Sequence, residues 1–184
     1  MIDIQPTALD GVLIITPARF GDDRGFFSET YNERRFTEAG VDVRFVQDNH
    51  SRSVKKGTVR GLHYQAPPFA QAKLVRVATG SILDVAVDAR PSSPKFGKHV
   101  TVELSAENGA QLFVPEGFLH GFVTLEPDTH VIYKVNNYYD RESDGAVLWN
   151  DPDLAIDWGV SAQEAALSEK DAIAPSWRDF NSPF

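Results

Sequence analysis

The sequence predicts an all-β fold, a sandwich or a barrel, and two observations carry this prediction. Short apolar runs recur along most of the 184 residues, and turns rich in glycine, proline and asparagine separate them. Only two stretches carry helix-capping patterns, so strands are expected to build the core. No linker-like or low-complexity stretch interrupts residues 1–184, and we expect a single domain with a short helical C-terminal tail.

The N-terminal half alternates strand and turn signals. A short helix is expected at Glu33–Ala39, because Asn32 can cap its first turn and Gly40 can end it in the left-handed conformation. Apolar residues alternate with acidic or small ones from Leu83 to Asp88, as in a strand whose two faces differ. Strands are expected at Val12–Thr16, Phe26–Tyr31, Val43–Val46, Val59–Tyr64, Lys73–Thr79 and Ile82–Val87.

The C-terminal half continues the strand pattern and ends in a different kind of tail. Asn108-Gly109 is a strong hairpin signal between two of the expected strands. Ser161 and Ser168 each precede an acidic residue by three positions, a capping-box pattern that predicts a short helix within residues 161–172. Strands are expected at His99–Leu104, Gln111–Val114, His120–Leu125, Thr129–Val135, Ala146–Trp149 and Ala155–Trp158.

The composition argues against several classes of function. The chain contains no cysteine, which excludes disulfides, thiolate zinc sites and a cysteine nucleophile. A net charge of −8 argues against broad nucleic-acid binding, although a local cluster of basic residues can still bind a small anion. No apolar run is long enough to span a membrane and the first residues do not resemble a signal peptide, so we expect a cytoplasmic protein.

The segment from Thr58 to Lys73 contains a concentrated group of potential catalytic side chains. Arg60, His63 and Lys73 supply a guanidinium, an imidazole and an amine, which can bind an anion, accept a proton and stabilise an oxyanion. Strict alternation would separate Arg60 from His63, and a bulge at Gly61 would bring them to one face. Taken singly, each of these side chains also fits an ordinary structural role.

Lys73 can be interpreted in two ways. It shares a face with Val75 and Val77, and if that face points inward, a buried lysine is costly unless it serves a ligand. A lysine at the end of a strand can instead extend to solvent, and the residues alone favour this role. Histidines in apolar strand segments, such as His63 and His120, are likewise more often hydrogen-bonded core residues.

The histidines do not form a metal-binding pattern. Barrels of this kind often bind a metal through two histidines one residue apart, whereas here Gln65 follows His63 at that spacing. The other histidines are scattered at His50, His99, His120 and His130. The chain also lacks a glycine-rich phosphate loop, a nucleophile elbow and a dinucleotide-binding fingerprint. We therefore expect no bound metal.

Several motifs, taken together and in order, carry a resemblance to a known family. They are Asp23–Glu29, Phe45–Ser51, Arg60–Gln65, Lys73–Arg76, Asp84–Asp88, Pro115–Phe122, Tyr133–Lys134 and Leu167–Asp171. Over nearly the whole chain they resemble the dTDP-4-dehydrorhamnose 3,5-epimerases. The resemblance implies a cupin-type jelly-roll barrel, a homodimer, and no metal or organic cofactor. It also implies conversion of dTDP-4-dehydro-6-deoxy-D-glucose into dTDP-4-dehydro-L-rhamnose, a step of dTDP-L-rhamnose biosynthesis.

The resemblance further implies a mechanism centred on the ketone at C4 of the sugar. C3 and C5 flank this carbonyl, so removal of a proton from either carbon places negative charge on one shared oxygen. By resemblance, His63 is the base and Asp171 orients it. Tyr133 is then the acid on the opposite face of the sugar ring, and Lys73 stabilises the enolate oxygen.

The resemblance also implies that a second group of matched residues binds the substrate. These residues are Arg24, Phe27, Glu29, Gln47, Asp48, Asn49, Arg60, His120, Asp144 and Lys170. Arginine side chains suit a diphosphate because they can donate two parallel hydrogen bonds. Asp144 departs from the family pattern, in which we expect a glutamate, so its contact with the ligand stays open.

Three alternative functions stay open at this point. The first is a 3- or 5-mono-epimerase or a 3,4-ketoisomerase acting on a related dTDP-4-keto sugar. The second is a non-catalytic protein that binds sugar nucleotides, which would need neither a base nor an opposed acid. The third is a metal-dependent oxygenase of the cupin type, which Gln65 disfavours.

Overall fold

The computed structural model describes residues 2–184, which form thirteen strands and two short helices. The first strands are β1 (Ile2–Pro6), β2 (Leu13–Pro17), β3 (Arg19–Asp22), β4 (Gly25–Ser28), β5 (Gln47–Ser53), β6 (Val59–Gln65) and β7 (Lys73–Thr79). The later strands are β8 (Ser81–Asp88), β9 (His99–Ser105), β10 (Gln111–Val114), β11 (Phe118–Thr124), β12 (Thr129–Val135) and β13 (Asp144–Ala146). The helices are α1 (Glu33–Glu38) and α2 (Glu169–Ala172).

The strands form two antiparallel sheets and a separate hairpin. One sheet has the order β1-β2-β10-β7-β12-β5, and the other has the order β13-β6-β11-β8-β9. Most neighbours in a sheet are not consecutive in sequence, so the chain crosses repeatedly between the sheets, as in a jelly roll. Strands β3 and β4 pair only with each other. The all-β fold class expected from the sequence is confirmed.

Apolar side chains fill the space between the two sheets. Val75 and Val77 of β7 pack there with Ile82 of β8 and with Phe118 and Phe122 of β11. Burial of a side chain of this size stabilises the fold by about 1.5–3 kcal/mol, so these contacts hold the two sheets together. One end of this interior carries polar side chains instead, and that end forms the site described below.

The outer faces of the sheets are covered by other parts of the chain. Phe36 of α1 packs on the six-stranded sheet. Asn32 caps α1 by accepting a hydrogen bond from the Arg35 backbone N–H, and Gly40 follows with a φ of +91°. The C-terminal tail packs Trp149 and Trp158 on the five-stranded sheet. The capped helix expected after Asn32 is therefore confirmed.

Three expected strands are wrong. The strand expected at Ala146–Trp149 overlaps β13 only at Ala146. The strand expected at Val43–Val46 begins later, at Gln47, because Val43 and Phe45 pack on the cluster around α1 instead. Residues 155–158 form no strand, since Ala155 has a φ of +48° and the Trp158 indole donates a hydrogen bond to the Trp149 carbonyl. β5 alternates between half-buried and exposed residues, but its half-buried residues are polar, and an apolar pattern cannot reveal such a strand.

The tail differs from the expectation in its helix. Only the second capping box begins a helix, where the Ser168 Oγ accepts a hydrogen bond from the Asp171 backbone N–H at 3.1 Å. The first box forms an isolated turn, in which the Ser161 hydroxyl donates to the Glu164 carboxylate at 2.6 Å. Across residues 2–184, no helix combines the length and apolar character needed to cross a membrane.

Candidate active site

Two adjoining cavities open at the polar end of the space between the sheets. The first has a volume of about 420 Å³ and the second about 300 Å³. Four side chains line both cavities: His63, Lys73, Tyr133 and Lys170. These residues come from β6, β7, β12 and α2, so both sheets and the tail contribute to the junction between the cavities.

A bulge in β6 places Arg60 and His63 in the same cavity. Arg60 lies opposite Phe122 and His63 lies opposite His120, so β6 has one more residue than β11 between these pairs. Gly61 occupies the bulge with a φ of +132°, and a Cβ there would lie 2.5 Å from the Gly121 Cα. Only glycine fits this backbone conformation and contact, and the bulge predicted at Gly61 is confirmed.

The C-terminal tail reaches the cavity through a short backbone bridge to the start of β6. The Ala166 N–H donates to the Gly57 carbonyl at 2.9 Å, and the Val59 N–H donates to the Ala166 carbonyl at 3.0 Å. Helix α2 begins just after this bridge. The bridge therefore fixes Asp171 beside His63, although the two residues are 108 positions apart.

His63 and Asp171 form a histidine–carboxylate pair. The His63 Nε2 lies 2.5 Å from the Asp171 Oδ1, and the Ser168 hydroxyl donates to the other carboxylate oxygen at 2.8 Å. Burial acts to raise the pKa of Asp171, but the hydrogen bonds from His63 and Ser168 outweigh it and lower that pKa. Because an ionised carboxylate can only accept, Nε2 carries the proton and Nδ1 keeps the basic lone pair.

A second histidine–carboxylate pair lies deeper in the same wall. The His120 Nε2 is 2.7 Å from the Asp84 Oδ1, and both side chains are buried. Burial lowers the pKa of His120, and the neighbouring carboxylate only partly opposes this effect. His120 is therefore neutral at pH 7 and acts as a hydrogen-bonding group.

Lys73 lies half-buried at the junction of the two cavities. Burial lowers the pKa of its amine to about 8, against the opposing charges of Asp84 and Asp144. Within residues 2–184 its ammonium forms no ion pair closer than 4 Å. The ammonium is thus available to a ligand in the cavities, and the lysine is not the solvated strand end that the residues alone favoured.

Tyr133 faces the cavities from the sheet opposite to His63. Tyr133 belongs to β12 of the six-stranded sheet and His63 to β6 of the five-stranded sheet. Burial raises the pKa of the Tyr133 hydroxyl above its ordinary value of about 10. The hydroxyl therefore keeps its proton at neutral pH, and a protonated phenol and an imidazole line the same cavities from different sheets.

Most of the expected substrate-binding residues line one cavity or the other. The Arg60 guanidinium and His120 lie in the first cavity. Gln47, Asn49 and Asp144 lie in the second, where the Gln47 amide donates to the Asn49 side chain at 2.9 Å. Lys170 pairs with the Asp144 carboxylate, so this ion pair closes one side of the second cavity.

Four expected binding residues lie outside both cavities of this chain. Arg24 pairs with Asp22 in the turn of the β3–β4 hairpin, and Phe27 is exposed on the same hairpin. Glu29 pairs with Arg35 at 2.8 Å. Asp48 pairs with Lys134 at 2.8 Å, because alternation along β5 turns it away from the face that carries Gln47 and Asn49.

Several cavity residues were not identified from the sequence. The polar ones include Ser51, Gln71, Tyr139 and Ser168, and the buried Asp84 bonds the cavity residue His120. Ser51 continues the alternation of Gln47 and Asn49 along β5, and this polar period of two is a signal that could have found it. Gln71 and Tyr139 lie in loops, where no periodic pattern applies. In residues 2–184, no cluster of three or more histidine or acidic side chains has a metal-binding arrangement.

Comparison with known proteins identifies the family. A family model described as dTDP-4-dehydrorhamnose 3,5-epimerase matches residues 6–179. The chain belongs to this family. A relative from Salmonella typhimurium, named dTDP-4-dehydrorhamnose 3,5-epimerase, is 54% identical over 176 residues, which cover 95% of each chain.

Solved structures of epimerases share the fold. One from Legionella pneumophila, described as dTDP-6-deoxy-D-glucose-3,5-epimerase in complex with dTDP-4-keto-L-rhamnose, is 45% identical with a TM-score of 0.94. The match covers 98% of this chain and 95% of that one. A 3′-monoepimerase from Streptomyces bikiniensis in complex with dTDP-quinovose is 32% identical with a TM-score of 0.87, over 93% and 86% of the two chains. The family, the jelly-roll fold and the 3,5-epimerase function expected from the sequence are confirmed.

Proposed function

We propose that this epimerase inverts C3 and C5 of dTDP-4-dehydro-6-deoxy-D-glucose by proton removal on one face and proton delivery on the other. The product is dTDP-4-dehydro-L-rhamnose. The observation that carries the proposal is the placement of His63 and Tyr133 on opposing sheets, with Lys73 at the junction between them. This arrangement matches inversion, because the incoming proton must reach the face opposite to the one that lost it.

His63 removes the proton in each half of the reaction. Its Nδ1 carries the lone pair, because its Nε2 is bonded to the Asp171 carboxylate. As the imidazole becomes an imidazolium, the negative charge of Asp171 stabilises it. Lys73 supplies a positive charge to the C4 oxygen while the enolate forms, which favours the charged intermediate over the neutral ketone.

Tyr133 delivers the new proton to the opposite face. A hydroxyl with a raised pKa holds its proton until a strong acceptor, such as an enolate carbon, is present. The same pair of groups can serve C3 and C5 in turn, since both carbons flank the same carbonyl, once His63 has released its proton to water and Tyr133 has regained one from water. All groups for proton transfer come from the chain, and the proposed reaction needs neither a metal nor an organic cofactor.

The two cavities and their junction bind different parts of the substrate. In this proposal the sugar lies at the junction, where His63, Lys73 and Tyr133 meet. The Arg60 guanidinium binds the diphosphate, since a planar fork donates two parallel hydrogen bonds to phosphate oxygens. The exposed ring of Tyr139 at the second cavity offers a stacking surface for the thymine base.

The β3–β4 hairpin suggests how the chain pairs with a second copy. Phe20, Phe26 and Phe27 are 62%, 62% and 69% exposed, an unusual concentration of uncovered aromatic surface. The substrate-binding residues expected in this region, Arg24 and Phe27, do not line either cavity of their own chain. In the proposed homodimer the hairpin of one subunit covers the cavity of its partner and supplies these side chains. The single-domain subunits act in the cytoplasm.

A mixing experiment tests this exchange. Arg24→Ala and His63→Asn homodimers are each expected to have low activity, and unfolding and refolding them together produces mixed dimers. If Arg24 acts on the partner's cavity, one site of each mixed dimer is intact and activity reappears. If Arg24 acts within its own chain, no mixed dimer has an intact site and activity stays low.

The main competing function is a mono-epimerase, because the Streptomyces bikiniensis enzyme shares the fold. Proton NMR of dTDP-4-dehydro-6-deoxy-D-glucose with the enzyme in deuterated water distinguishes the two. Double epimerisation predicts solvent deuterium at both C3 and C5, with the L-lyxo product trapped by a ketoreductase. Deuterium at one carbon alone would support a mono-epimerase, and no exchange would overturn the proposed reaction.

A further inference from the structure

Asp84 is a buried carboxylate that none of the steps above uses. It has no exposed surface, and one oxygen, Oδ1, bonds the His120 ring. The other oxygen, Oδ2, is also buried, and within residues 2–184 no side chain or backbone group donates to it. Buried polar atoms are nearly always hydrogen-bonded, because an unpaired one loses its contact with water without compensation. A buried carboxyl oxygen left unpaired therefore calls for a functional explanation.

Asp88 on the same strand provides the contrast. It is equally buried and lies on the same face of β8, four residues along. Both of its oxygens are paired, one with Arg90 alone and the other with Arg90 at 2.7 Å and Ser93 at 2.6 Å. Asp88 is thus a neutralised structural carboxylate. Asp84 has no arginine, and the nearby groups able to balance its charge lie in the wall of the cavity.

We propose that Asp84 is a positioning residue whose carboxylate fixes the His120 ring and whose charge keeps Lys73 in its ammonium form. The inference rests on the proposed role of Lys73 at the C4 oxygen. A neutral amine cannot stabilise an enolate in the same way, so turnover falls when Lys73 loses its proton at high pH. The charge of Asp84 therefore sets the upper pH limit of turnover.

The balance of charges around Lys73 supports this assignment. The ionisable groups that share its cavities or influence it are Arg60, His63, Tyr64, Asp84, His120, Tyr133, Tyr139, Asp144, Lys170 and Asp171. The charges that shift the pKa of Lys73 are those of Asp84, Asp144 and Lys170, and because Asp144 is paired with Lys170, these two charges largely balance each other. Asp84 is bonded only to a neutral histidine, and of the nearby charges it raises the pKa of Lys73 the most.

The Asp84→Asn substitution removes the charge and keeps the size of the side chain. The pH dependence of kcat/KM, which reports groups of the free enzyme, is then measured, and the alkaline limb is expected to move to lower pH by about one unit. The KM for the dTDP-sugar is expected to change little, because the ammonium acts mainly on the charged intermediate. An alkaline limb that stays in place in folded Asp84→Asn enzyme would overturn the inference.

Asp88→Asn is the matched control. It also removes a fully buried carboxylate from β8, and it breaks the ion pair with Arg90. We expect this variant to be less stable but to keep the alkaline limb at its original pH. An equal shift in Asp88→Asn would assign the effect to general loss of structure and contradict a specific role for Asp84.

Lys73→Arg provides a test that does not depend on the folding of Asp84→Asn. A guanidinium stays charged throughout the accessible pH range, so the limb near pH 8 is expected to disappear from the residual activity. A limb that persists unchanged would overturn the inference. Deuterium exchange at C3 and C5 by the wild-type enzyme tests the proposed reaction separately, so the two failures are distinguishable.

Discussion

The two histidine–carboxylate pairs use the same chemical groups in different surroundings. His63 and His120 lie directly opposite each other on β6 and β11. Their Nε2 atoms lie 2.5 Å and 2.7 Å from the carboxylates of Asp171 and Asp84. The difference is exposure, since the His63 side chain is 31% exposed and that of His120 is 8% exposed.

Burial decides what each pair can do. The His63 ring is partly exposed in the cavities, so a ligand bound there can contact it while Asp171 holds the opposite side of the ring. Burial lowers the pKa of His120, so its ring stays neutral and its carboxylate partner is left to act on other charges. Exposure therefore distinguishes the proposed base from a histidine that has the same kind of carboxylate partner.

The largest expected effect comes from His63→Asn. The variant keeps a polar side chain but has no base, so kcat is expected to fall by about 1,000-fold or more. His130→Asn is the control, because His130 bonds His50 and lies in neither of the two cavities. Near-normal turnover of folded His63→Asn enzyme would remove His63 from the role of base.

A smaller effect is expected from His120→Asn. If His120 only donates or accepts a hydrogen bond, its loss costs about 10-fold in kcat/KM. Deuterium exchange at C3 and C5 should continue, because the base is still present. Loss of exchange as severe as that in His63→Asn would show that the two pairs do not differ in role.

The smallest expected effect is on the pH dependence of stability. The pKa of His120 is lower in the folded protein than in the unfolded chain, so the unfolded chain binds its proton first as the pH falls. Stability is then lost as the pH drops below about 6.5. In urea unfolding between pH 7.5 and pH 5.5, His120→Asn should show a shallower loss than the wild type. An unchanged slope would contradict a neutral, buried His120.

The sequence predicted most of the strands but only part of the polar wall. β7, β10 and β12 begin and end as expected, because their apolar residues alternate or run together. β5 was misplaced since its inward residues are polar and serve the cavity. A pattern that marks a packed core does not mark a strand that lines a ligand site.

The arrangement of the site could not be predicted from local sequence patterns, because it depends on contacts between distant parts of the chain. The partnership of His63 with Asp171 spans 108 positions and was implied by the family resemblance alone. Asp84 carried no separate signal, since an acidic residue alternating with valines also fits a solvent-facing strand. Arg24 and Phe27 carry the family motif, but their placement in the proposed dimer depends on a second chain.

The most direct test of the opposed base and acid is the Tyr133→Phe variant in deuterated water. Proton NMR measures deuterium entry at C3 and C5, and a ketoreductase trap measures inverted product. The account predicts that His63 still exchanges the protons while inverted product falls by about 100-fold or more, so that exchange exceeds inversion. Unaltered formation of the L-lyxo product, or equal loss of exchange and inversion, would contradict the assignment of Tyr133 as the acid on the opposite face.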